Sequence, residues 1–351
     1  MERILSKIKG RGSAENPANR FERIEHIPAD VGNEAKDAPK TIFYKDHSRT
    51  IISYNDSPDV GFKASINSYR GCEHGCIYCY ARPTHEYLGL SAGLDFETKI
   101  FVKEDAPELL RRELSSPKWQ PKPIAISGVT DPYQPAESHF SLTRACLKVL
   151  AECSNPVGIV TKNYLVTRDI DILKELAEQH AAVVALSITT LDPKLARVME
   201  PRASQPDLRL KAIQKLAENG IPVTVLVAPV IPGLTDHEIP RIIEKAVDAG
   251  AQKAGYIMLR LPYGVADLFQ HWLEQHFPDK KSKILNRIRA MRSGKLYSSV
   301  FHERMRGEGI FANQVDKLFE ISCRKTGIAG NRIHLSSDAF HRLDTEQLKL
   351  F

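Results

Sequence analysis

Between residues 63 and 260 the chain repeats one pattern six times: a short run rich in β-branched residues, then a stretch of helical periodicity. The strand-like runs are "KASINSY" (63–69), "PIAISGV" (123–129), "PVGIVTK" (156–162), "AVVALSI" (182–188), "PVTVLVA" (222–228) and "AGYIMLR" (254–260). Helical patterns between them include residues 141–153, 169–179, 207–220 and 238–250, two of which end in a glycine that stops a helix. These runs lack strict apolar–polar alternation, as expected of parallel strands covered on both faces. Such an α/β chain is limited to an open doubly wound sheet or a barrel, complete or partial. No glycine-rich phosphate fingerprint follows any strand, which disfavours the dinucleotide-binding arrangement. A further short run, "KIFVK" (99–103), falls in the insertion between the first two strands.

The flanks differ from this core. Residues 1–40 are polar and read as a flexible N-terminal arm, residues 41–262 as the core, and residues 263–351 as a helical C-terminal extension. A hydrophobic content of 42% and no apolar run long enough to span a bilayer point to a cytoplasmic protein without a membrane partner. The charged N-terminus lacks the apolar stretch of a signal peptide. The net charge of +6 permits an anionic partner such as nucleic acid without requiring one. Base is concentrated at 280–295 and near the N-terminus. Oligomeric state is not encoded in any pattern here.

Polar residues collect just after the strand runs. Thr130, Asp131 and Glu137 follow the second; Thr161 and Lys162 end the third; Ser187, Thr189 and Thr190 end the fourth; Arg260 ends the sixth. In a parallel barrel these ends face one rim, where barrel enzymes build their sites. After the first strand comes "GCEHGCIYCY" (71–80), which puts Cys72, Cys76 and Cys79 in a C-x3-C-x2-C spacing. The other cysteines, Cys146, Cys153 and Cys323, stand singly in apolar stretches and read as core residues. Disulfides within the loop would make small rings and leave one thiol over, so metal binding is the better use. Structural zinc prefers two separated ligand pairs, and no second pair exists, although His74 would complete a Cys3His set. A 4Fe–4S cluster normally takes four cysteines. Three leave one iron open to a ligand with amino and carboxylate groups.

The C-x3-C-x2-C loop with Tyr78 before its last cysteine resembles the signature of the radical S-adenosylmethionine (radical SAM) superfamily. "CIYCYARP", "TDPYQPAE", "VTK", "SITT", "MEPR" and "VAPVIPG", in this order, are similar to its spore photoproduct lyase-like branch, often labelled DNA repair photolyase-like. The resemblance implies a partial (β/α)6 TIM-like barrel, a 4Fe–4S cluster on Cys72, Cys76 and Cys79, and S-adenosylmethionine on its open iron. It implies cofactor contacts from Tyr78, Thr130, Asp131, Lys162, Ser187 and Arg260, and a radical relay through Tyr78 and Tyr80. The activity implied is reductive cleavage of S-adenosylmethionine to a 5′-deoxyadenosyl radical acting on a substrate, with nucleic acid as one candidate, and with an external flavodoxin- or ferredoxin-like reductant. The cysteine that returns a hydrogen atom in the lyase aligns with Gly128 here, so the lesion-repair reaction is not inherited with the fold. Rival readings are a zinc- or iron–sulfur-binding nucleic-acid module and an electron-transfer protein, neither with SAM chemistry.

Overall fold

The computed structural model describes residues 7–21 and 39–343. Among the described residues ten strands run in chain order: β1 Ile42–Lys45, β2 Ile52–Tyr54, β3 Ala64–Ile66, β4 Tyr69–Arg70, β5 Lys99–Val102, β6 Ile124–Ile126, β7 Val157–Thr161, β8 Ala182–Ser187, β9 Val223–Val230 and β10 Lys253–Met258. Seven form the main sheet, in the order β10-β9-β8-β7-β6-β3-β2. All neighbours are parallel except the β2–β3 hairpin. The six parallel strands therefore lie side by side in chain order, with no reversal of the kind that defines a doubly wound sheet. A sheet wound in one direction and left open at β10 is a partial (β/α)6 barrel, and every parallel strand delivers its C-terminal end to one rim.

Each covering helix buries one stripe. Helix 239–248 turns in Ile239, Ile242, Ile243 and Ala246, the i, i+3, i+4, i+7 spacing of a single face. Helix 170–178 buries Ile172, Leu173, Leu176 and Ala177, an i, i+1, i+4, i+5 stripe on one face. Cys146 and Cys153 lie in this core, as their isolation in apolar sequence predicts.

The first strand run of the sequence divides in two. Ala64–Ile66 joins the barrel, whereas Tyr69–Arg70 turns away to pair with β5, which also pairs with β1. The "KIFVK" run thus builds a small side sheet behind the cysteine loop.

Beyond β10, helices 265–276 and 278–290 pack Leu268, Phe269, Trp272, Leu273, Ile284, Leu285 and Ile288 against Cys76, Ile77 and Tyr78. The extension is thus a second apolar layer beneath the cysteine loop. Residues 7–21 carry no helix or strand, yet they lie along the same loop with many fixed contacts. Residues 1–6 and 22–38 of the expected arm lie outside the described residues. Among the described residues no helix is long and apolar enough to cross a membrane.

Candidate active site

The cysteine loop is built on a buried arginine. Arg82 has no exposed surface, and its guanidinium donates to Cys76 O at 3.0 Å, Gly75 O at 3.3 Å, Ala92 O at 3.1 Å and Gly93 O at 2.9 Å. Its charge is met by Glu97, also fully buried, at 2.5 Å. Gln134, from the loop after β6, accepts from Glu73 N and donates to Gly71 O. The third anchor is the "MEPR" segment, where Ile77 N donates to Met199 O and Arg202 N to His74 O. Gly75, with φ of +65°, has Glu97 Oε2 2.7 Å from where a Cβ would sit, so only glycine fits there.

Cys72 and Cys76 are buried, Cys79 is partly exposed, and all three are free thiols. Burial pushes each thiol's ionisation upward, opposed at Cys79 chiefly by Arg82 and also by Lys162. An electron-poor metal centre is what would hold such thiols as thiolates. Among the described residues no three His, Cys, Asp or Glu side chains converge as a single-ion site. His74, the candidate fourth ligand of a zinc site, is engaged elsewhere. Its Nδ1 lies 3.3 Å from Asp131 and its Nε2 3.2 Å from the Asn163 amide, so both ring nitrogens are used. A Cys3His zinc arrangement would have to break one of these two contacts. The donor set left is three thiols without a fourth, which fits a cluster holding one iron open.

At the ends of β7 and β8 lies a buried ionic network. Glu200 and Arg209, each 1% exposed, form a direct ion pair. Tyr78 Oη donates to the same carboxylate, and Thr189 Oγ1 lies 2.7 Å from it. Lys162 Nζ approaches Glu200 at 3.3 Å, Ser187 Oγ at 2.7 Å and Ala228 O at 3.0 Å. Burial opposes ionisation of Glu200, but Arg209 and Lys162 outweigh it and hold the carboxyl well below its ordinary range. One carboxylate faces two cations. The surplus positive charge sits on Lys162, the more exposed of the two, at the rim beside the thiols.

Asp131 serves as a brace. Its carboxylate accepts from Thr161 Oγ1 at 2.7 Å, Tyr133 N at 2.9 Å and Lys162 N at 2.8 Å, and meets His74 on the remaining side. Burial works against its ionisation, yet these donors keep it below the usual carboxylate value. The brace joins the cysteine loop to the end of β7 and positions Lys162. Thr130 is buried; its hydroxyl donates to Asn67 Oδ1, on the loop after β3, and its carbonyl accepts from Ser127 Oγ.

A family model described as the Radical SAM superfamily matches residues 66–246, just over half of the sequence. The chain belongs to the radical SAM superfamily. It is 37% identical over 224 residues to an uncharacterised Mycobacterium tuberculosis protein, covering 63% of this chain and 66% of that one. The chain thus spans slightly less than two thirds of that relative. An uncharacterised Methanocaldococcus jannaschii protein is 31% identical over 233 residues, covering 66% and 83%. A Pseudomonas phage M6 protein named radical SAM Nalpha-GlyT isomerase is 24% identical over 214 residues, covering 60% and 42%. Among solved structures, a mutant spore photoproduct lyase superposes with a TM-score of 0.54 at 16% identity, covering 87% of this chain and 86% of that one. That likeness is one of fold.

In this radical SAM chain the two loop tyrosines part company. Tyr78 is buried, with its hydroxyl committed to Glu200 and its ring 5.7 Å from the Lys162 ammonium. Tyr80 is 46% exposed, and its hydroxyl donates to Gly128 O at 2.5 Å. Arg260 lies over the Tyr80 ring at 4.8 Å, and its buried Nε has no protein partner. The β9–β10 register slips between Tyr256 and Met258, which re-aims the chain just before Arg260. Glu97 supports the cysteine loop through Arg82, while His85 bonds to Lys99 O and Lys99 pairs with Asp95. Sequence reasoning missed Arg82, Gln134, Asn163, Glu200 and Arg209. Their signal was faint: Arg82 sits inside the quoted "CIYCYARP" and Glu200 inside "MEPR", but nothing in either string marks them as buried.

Proposed function

We propose that this protein is a radical SAM enzyme that uses a site-differentiated 4Fe–4S cluster on Cys72, Cys76 and Cys79. On this reading it takes one electron from an external flavodoxin- or ferredoxin-like reductant. When bound, the cluster supplies that electron to S-adenosylmethionine, whose C5′–S bond breaks to give methionine and a 5′-deoxyadenosyl radical that abstracts hydrogen from a substrate. The supporting observation is a buried loop of three thiols, with no fourth, at the C-terminal rim of six parallel strands wound in one direction.

The residues divide the work by position. Lys162, carrying the surplus charge of its network, is proposed to meet the methionine carboxylate, with Ser187 fixing the ammonium. Tyr78 and Asp131 hold the loop and the lysine in register, and Thr130 steadies the segment beside them. Tyr80 and Arg260 are the side chains proposed to face the substrate, one an exposed phenol and the other a guanidinium with a spare donor.

Nucleic acid is the substrate class to test first. Lys280 and Lys283 project from helix 278–290, whereas Arg292 is buried against backbone carbonyls and Lys281 is paired with Glu274. A steep fall in binding between 50 and 200 mM salt is the expected sign of phosphate contacts, and salt-independent binding favours a small molecule or peptide.

The test of the cofactor reading is electron paramagnetic resonance of the reconstituted, dithionite-reduced protein. Adding S-adenosylmethionine is expected to shift the cluster signal, because one iron is open to it. An unshifted signal would show a cluster that does not receive the cofactor.

A further inference from the structure

The N-terminal segment is zipped onto the stretch that follows the cysteines. Leu94 N donates to Glu15 O at 3.1 Å, and Asn16 and Asp95 exchange two hydrogen bonds of 2.9 and 3.1 Å. Ser91 Oγ donates to Pro17 O, and the Asn19 amide donates to the carbonyls of Glu86 and Leu90. At the upstream end, Gly12 N and Ser13 N donate to the two oxygens of Glu97 at 3.0 and 2.9 Å. Glu97 is the carboxylate that balances Arg82, and Arg82 carries the carbonyls of Gly75 and Cys76.

The fit is close at both ends. A Cβ on Gly12 would lie 1.8 Å from Gly75 O, and one on Gly93 would lie 2.0 Å from Glu15 O. Neither obstacle is a flexible side chain that can swing aside; both are backbone. The segment therefore presses directly on the loop between the first and second cysteines, and it covers Glu97 with two backbone amides.

We propose that residues 11–17 are a positioning strap for the cluster loop, acting through Glu97 and Arg82. The inference rests on the proposed cluster and adds to it a part of the chain that carries no cluster ligand. Partners of this indirect kind orient metal ligands and control solvent access, and losing one typically weakens metal binding by about 10–100-fold.

The experiment compares wild type, Gly12→Ala and a control, Gly61→Ala, whose added methyl meets nothing within 4 Å. After anaerobic loading with iron and sulfide, iron release to a chelator and the cluster midpoint potential are measured. Gly12→Ala is expected to lose iron about tenfold faster than wild type and Gly61→Ala, with a shifted potential. Equal release and an unchanged potential in a folded Gly12→Ala protein would overturn the proposal. Amide hydrogen exchange on wild type supplies a second reading that needs no variant. Cluster loading is expected to slow exchange in residues 11–17 together with 71–79, and slowing confined to 71–79 would also overturn it. Wild type that takes up no iron and sulfide would instead sink the cluster assignment, a failure distinguishable from that of the strap.

Discussion

Replacing Glu200 with glutamine removes one charge and almost no volume from the network behind the thiols. Arg209, 1% exposed, then keeps only carbonyl partners, Ser204 O at 2.7 Å and Ser187 O at 2.9 Å. The Lys162–Glu200 contact of 3.3 Å corresponds to a gross attraction of about 5 kcal/mol at an effective dielectric of 20. Much of that attraction is offset by the desolvation of both groups. The net cost of stranding a buried partner is about 3–5 kcal/mol. Urea unfolding of the apoprotein measures it as a fall in midpoint at constant slope. The double variant Glu200→Gln with Arg209→Met removes the stranded charge as well, so it should be less destabilised than the two single variants summed, by about 2 kcal/mol. Single costs below about 1 kcal/mol, or strict additivity, would refute the view that this pair is one electrostatic unit.

Other expectations follow from the same geometry. His85 is buried, its Nε2 lies 2.9 Å from Lys99 O, and its Nδ1 has no partner. Burial lowers its pKa from 6.5 to about 4. The unfolded chain then binds the extra proton, so stability falls as pH drops from 6.5 towards 4, by about 2 kcal/mol at pH 5. Thermal melts of wild type against His85→Phe at pH 8 and pH 5 check this: the variant should lose less on acidification, and parallel losses would contradict it. Asp131→Asn puts an amide opposite donors such as Lys162 N, and each donor left unpaired costs about 1–3 kcal/mol, read by the same urea titration. Tyr78→Phe takes a buried donor from Glu200, whereas Tyr80→Phe takes an exposed one from Gly128 O. The first should destabilise by more than about 1 kcal/mol and the second by less. Calorimetry showing the reverse order would mean that the two tyrosines have been assigned to the wrong sides of the loop.

The sequence made the barrel readable because its strands are β-branched runs at regular intervals and its helices carry clean apolar stripes. Four of the six parallel strands lie wholly within the stretches that periodicity picks out, β9 overruns its stretch by two residues and β10 starts one residue ahead of its own, and the cysteine spacing located the loop. Less legible was the division of the first strand run, which depends on Tyr69 reaching Glu137 across 68 positions. The brace at Asp131 and the pair at Glu200 and Arg209 were hidden for a similar reason. A charged residue in a string of letters looks solvated, and only the fold reveals that its partner lies on another loop. The arm was misleading in the other direction: polar, glycine-containing residues read as unstructured, while Gly12 and Ser13 use their backbone amides, which composition does not display.

The central claim is that three thiols at this rim support radical cleavage of S-adenosylmethionine. The most direct measurement is 5′-deoxyadenosine formed by the anaerobically reconstituted protein with dithionite and S-adenosylmethionine, beside Cys76→Ala treated identically. The account predicts product from the wild-type protein and none from the variant. Bound zinc in place of a cluster, or equal product from both proteins, would contradict it.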